Sequence, residues 1–124
     1  MELQIHNLSW QVEFIQSEHC FEENNTQEEL CGITKKLKLQ VFINSEMNDD
    51  LVRRTVIHEL THAYIWTYGF ENFDSFKEED LCNFIETFSE SILKDTEKVM
   101  TEYESFKGKF DEVFEKVENI IETL

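Results

Sequence analysis

His58-Glu59-Leu60-Thr61-His62 constrains this chain more than any other five residues, because its two imidazoles can act together only on a helix. Residues four apart on a helix lie on one face, about one turn apart. His58 and His62 can then each aim a ring nitrogen at a single ion, while Glu59 reaches a water on that ion without ligating it. Two histidine ligands and a carboxylate base on one rigid element form the donor pattern of zinc peptidases.

The flanking residues supply the helix that this pattern needs. Asn48-Asp49-Asp50 offers an N-cap and an acidic first turn, and Gly69 suits the left-handed position after the last turn. The spacing predicts a helix from about residue 49 to 68. Val52, Val56, Leu60, Ala63, Tyr64 and Thr67 form its core stripe, and His58 and His62 share an adjacent face with Thr55 and Ile65.

Before this helix the pattern is that of β-structure. Leu8–Ile15 mixes Trp10, Val12, Phe14 and Ile15 with polar residues, and Glu22–Asn25 reads as a loop. After Gly32, Leu37, Leu39, Val41 and Ile43 alternate as in a half-buried strand. Lys35, Lys36 and Lys38 at its start fit a protected edge strand or a turn in solvent. After it, a second helix begins near Asp74 or Ser75 and carries Phe76, Leu81, Phe84, Ile85, Phe88, Ile92 and Leu93. From Thr96 onward, Val99, Tyr103, Phe106, Phe110, Val113, Val117, Ile120 and Leu124 alternate spacings of four and three, widened by Met100, Phe114 and Ile121. That heptad allows a homodimer seam or packing within the chain.

The expectation is one α+β domain spanning residues 1–124: a β-rich part (1–47) with a small antiparallel or mixed sheet, metal-site helices (48–95) and a long C-terminal amphipathic helix (96–124). Three glycines and no proline agree with short connections. The chain carries 11 basic and 27 acidic residues, a net charge of −16, and both residues 1–70 and residues 71–124 are acidic. Nucleic acid and anionic membrane are therefore poor partners, and a cationic protein is easier to accommodate. Cys20, Cys31 and Cys82 show no CxxC spacing, and no signal peptide opens the sequence, so they read as reduced thiols in a cytoplasmic protein. Cys82 suits a small buried position. No apolar run is long enough to span a bilayer.

A catalytic zinc needs three protein ligands and an open position. Glu78, Glu79, Asp80, Glu86 and Glu90 lie on the second helix, and periodicity leaves Glu79, Asp80 and Glu86 all open. The run Thr55–Tyr64, then Tyr68-Gly69-Phe70, resembles the small ImmA/IrrE-like and phage-encoded zincins. So does the order of Gly32, a strand ending at Ile43 and a capped helix. The resemblance covers roughly residues 30–90. In that group a glutamate opens an E-x-x-[AV]-[ND] pattern on the next helix, and Glu79-Asp80-Leu81-Cys82-Asn83 matches with cysteine in the small apolar slot. Glu86 departs from the pattern, and the tail beyond residue 95 has no counterpart in it.

The resemblance implies a zinc metallopeptidase of phage or mobile-element context, with His58, His62 and Glu79 as ligands, Glu59 as general base, and a narrow protein or peptide substrate. Tyr64, Tyr68, Tyr103 and His19 are candidate oxyanion donors; His6 suits an ordinary surface position. The alternative expectation is a binding or inhibitor protein on a zincin scaffold, acting by protein–protein interaction.

Overall fold

The computed structural model describes residues 1–16, 21–22, 29–70 and 77–123. Its elements in chain order are β1 (Glu2–Ile5), β2 (Leu8–Ile15), β3 (Phe21–Glu22), β4 (Glu29–Leu30), β5 (Gly32–Lys35), a 3-10 turn (Lys36–Lys38), β6 (Gln40–Asn44), α1 (Asp49–Thr67) and α2 (Glu78–Thr123). The chain thus has an α+β fold.

The main sheet has the order β1-β2-β6-β5. Its central pair, β2 and β6, is parallel with Val12 opposite Val41, and the outer pairs are antiparallel. The sheet is therefore mixed. Alternation along the strands buries Leu3, Ile5, Trp10, Val12, Val41 and Ile43 on one face, as period-two patterning requires. Residues from α1 (Val52, Val56, Leu60, Ala63, Tyr64) and α2 (Phe84, Ile92, Val99, Tyr103) complete one apolar core with them. β3 and β4 form a separate two-stranded ribbon.

α1 begins and ends as its sequence predicts. The Asn48 side chain accepts a hydrogen bond from the Leu51 amide at 2.9 Å, and Gly69 follows the helix with φ 77°. Trp10 fastens the far end by donating its indole N–H to Thr67 Oγ1 at 3.0 Å.

Three expectations change. The strand expected from Leu37 starts only at Gln40, because Lys36–Lys38 coil into a 3-10 turn and Leu39 turns left-handed at φ 53°. Leu37 is 90% exposed as a result. The lysines thus lie at a turn, while β6 itself is interior to the sheet. Secondly, the second and C-terminal helices are one 46-residue helix that crosses the expected boundary at residue 95. At about 1.5 Å per residue it extends about 69 Å. No glycine or proline interrupts Glu78–Lys107, and the buried positions Ile92, Thr96, Val99 and Tyr103 continue in phase across the junction. Thirdly, Leu81, Ile85 and Leu93 face outward, as does Cys82. Among the described residues α2 is covered mainly by α1, by Tyr68 and Phe70 just after it, and by the end of β2, so its buried stripe is narrower than its apolar content. Asp74, Ser75, Phe76 and most of the Glu22–Asn25 segment lie outside the described residues, whereas Glu22 belongs to β3.

Candidate metal centre

The site is built where α1 crosses β5, the strand at the sheet's edge. Gly32 makes that crossing close. A Cβ at position 32 would stand 2.8 Å from Thr55 Cγ2, 3.0 Å from Glu59 Cγ and 3.0 Å from the Phe42 carbonyl oxygen. Thr55 cannot readily turn away, because its hydroxyl donates to the Leu51 carbonyl at 2.8 Å. Glycine here is a condition for seating Glu59 against the strand.

Glu59 is 6% exposed. A buried carboxylate needs a partner, and Thr34 on β5 provides it: the Thr34 hydroxyl lies 2.5 Å from Glu59 Oε2 and 3.2 Å from the Glu59 carbonyl oxygen. Sequence reasoning missed Thr34. The only signal was its place two residues after Gly32, in a stretch without marked alternation.

His58 and His62 project from the same face of α1, with their Nε2 atoms 3.2 Å apart and rings edge to face at 4.9 Å between centroids. Two nitrogens bound tetrahedrally to one zinc at about 2.0–2.1 Å would stand about 3.3–3.4 Å apart. The pair thus fits two positions of a zinc site. Burial pushes the His62 imidazole below its usual pKa; the Glu59 carboxylate opposes that shift, and His58 and Lys36 add to it. A neutral imidazole is the form that ligates.

Hollows surround the pair. One of about 320 Å³ lies between Cys31-Gly32 and Leu51, Arg54 and His58. A second, about 270 Å³, is bordered by Gly32–Thr34, Lys36, Glu59 and both histidines. A third, about 420 Å³, lies across the histidines over Ile57, Thr61 and Ile65, with Arg54 at its end. Glu59 borders the first two. The arrangement can hold an ion, a water and an extended chain against one carboxylate.

Glu79 is not brought to the histidines. It is exposed in the first turn of α2, and among the described residues no three His, Cys, Asp or Glu side chains are grouped to hold a metal. Asp80 instead accepts from the Lys77 amide at 3.0 Å, capping α2, and Glu86 is exposed. Of the oxyanion candidates, the Tyr64 hydroxyl donates to Asp95 at 2.5 Å and that of Tyr103 donates to Asp49 at 3.0 Å, each fastening α1 to α2. Tyr68 lies on Phe88 and His6; His19 and Cys20 are outside the described residues. No tyrosine borders the hollows among the described residues.

No protein-family model matches this chain, and neither the curated proteins nor the solved structures compared with it give a match. Among the described residues, no helix is long and apolar enough to cross a membrane.

Proposed function

We propose that the protein is a zinc-dependent metallopeptidase that cuts a peptide bond in a narrow protein substrate, in the cytoplasm and in a phage or mobile-element setting. The observation that carries this reading is the His58–His62 nitrogen pair at 3.2 Å beside a buried glutamate held by Thr34. His58 and His62 would hold the metal. The third position is assigned to Glu79 on the family resemblance alone, and loss of zinc affinity in Glu79→Ala tests that assignment. When bound, zinc lowers the pKa of a water and polarises a carbonyl.

The chain's own residues do the remaining work. Glu59 takes the proton of the attacking water and passes it to the leaving amine. Thr34 fixes one carboxylate oxygen of Glu59, and Glu59 borders the hollow beside both histidines. β5 and α1 form the walls that position the peptide.

Glu59→Gln tests the mechanism. It should abolish cleavage while the zinc content stays that of the wild type. The alternative, a zincin-scaffold binding or inhibitor protein, is favoured by the last turns of α2, where Val113, Phe114, Val117, Ile120 and Ile121 are exposed. The same stripe is our proposed homodimer surface. A partner captured equally by the wild type and Glu59→Gln, with no product, would decide for the binding protein.

A further inference from the structure

Among the described residues, the lining of the site carries a charge opposite in sign to that of the chain as a whole. Acidic residues are 27 of 124, so about three would be expected among the fourteen residues bordering the hollows around His58 and His62. Among the described residues only Glu59 is acidic there, and it is occupied with Thr34. The same lining holds two cations, Arg54 and Lys36.

Arg54 is the more informative of the two. It stands one turn before His58 on α1, is exposed, and borders both the first and the third hollow. Its neighbour Arg53 pairs with Glu97, and Lys107 pairs with Asp49. Arg54 has no ion-pair partner among the described residues. A guanidinium with no ion-pair partner among the described residues of so acidic a chain, where two hollows meet, presents a planar donor fork to whatever lies beside the histidines. That fork matches a carboxylate in a bidentate pair. Asp50, one turn earlier on α1, forms no ion pair with Arg54, and acidic groups more than about 8 Å away are screened at physiological ionic strength.

We propose that Arg54 is a specificity-determining residue that binds a carboxylate of the substrate, so that the protein selects peptides carrying an acidic side chain, or a free C-terminal carboxylate, next to the bond at the site. The proposal rests on the peptidase reading for the word substrate, whereas the binding chemistry of Arg54 does not.

The test uses the zinc-loaded full chain and a random peptide library, N-acetylated and C-amidated, with a second arm whose C-termini are free. Cut peptides are sequenced, and library retention on the immobilised Glu59→Gln protein is measured in parallel. The expected result is acidic residues enriched beside the cut. Arg54→Gln should lower kcat/KM for such peptides about ten-fold and leave neutral peptides unchanged, and Arg54→Lys should keep part of the preference. An effect confined to the free-carboxyl arm assigns Arg54 to the chain terminus; an effect in both arms assigns it to side chains. Equal zinc content and melting temperature in Arg54→Gln exclude a folding defect. Cleavage without acidic preference, or with the same preference in Arg54→Gln, overturns the proposal. If nothing is cut, Arg54-dependent retention of acidic peptides upholds it while the peptidase reading fails. Retention without acidic enrichment overturns it.

Discussion

At the scale of single residues, the account depends on how closely α1 lies against β5. Gly32→Ala must push a methyl group into the Thr55 side chain, whose hydroxyl is already committed to the Leu51 carbonyl. Overpacking of this kind costs about 1–3 kcal/mol, and the displaced Glu59 should lose its bond to Thr34. A lowered melting temperature together with reduced cleavage is expected; a variant that matches the wild type in both would mean the contact relaxes freely. His58, Glu59 and His62 were legible in the sequence because helical period fixes which side chains share a face. Thr34 was not legible, since it meets Glu59 from 25 residues away and only the docking of strand on helix brings the two together. The resemblance pointed to Glu79, but periodicity cannot position the start of one helix against another helix, and Glu79 is exposed in the first turn of α2.

Between elements, two buried tyrosines fasten α2 to α1. The Tyr64 hydroxyl donates to the buried Asp95, and burial followed by the Asp95 contact raises the tyrosine's pKa far above its usual range. Among the described residues, Tyr64→Phe leaves Asp95 with only Lys98, 3.7 Å away, so thermal or urea unfolding should show a loss of about 1–3 kcal/mol. Adding Asp95→Asn should recover part of that loss by removing the buried charge. Asp49, at the start of α1, is the other link. The hydrogen bond from Lys107, and then that from Tyr103, hold its carboxyl below the ordinary 3.8. Because the folded-state value lies below the unfolded one, this link stabilises the protein above about pH 3.8 and is lost as pH falls through the folded value. An acid titration of stability should lose this component in Asp49→Asn, and an unchanged acid limb would mean that the link contributes nothing. Helix caps were readable in advance because they are local: Asn48 and Gly69 act within four residues of themselves. The Leu37–Ile43 alternation misled because the Leu39 turn breaks a period that the letters alone continue.

Over the whole molecule, α2 runs from a packed half to an exposed one. Phe84, Ile92, Val99 and Tyr103 are buried, whereas Val113 and Val117 are 60% and 48% exposed. The heptad from Val99 onward announced the C-terminal part of this helix but neither its union with the part before residue 95 nor where its cover ends, because cover depends on how far the other elements reach. If the exposed stripe pairs with a second copy, sedimentation should show concentration-dependent dimers that Val117→Glu converts to monomer; a wild type that stays monomeric at high concentration would exclude the homodimer. The α+β class was legible from β-patterned segments followed by helical ones, whereas the parallel pairing of β2 with β6 was not, since nothing local encodes which distant strand becomes a neighbour. The central claim is that α1 presents a zinc site. Elemental analysis of the purified, dialysed protein tests it most directly: the account predicts about one zinc per chain in the wild type and in Glu59→Gln, and none in His58→Ala or His62→Ala. A wild type without zinc after metal supplementation, or histidine variants that keep it, would contradict the account.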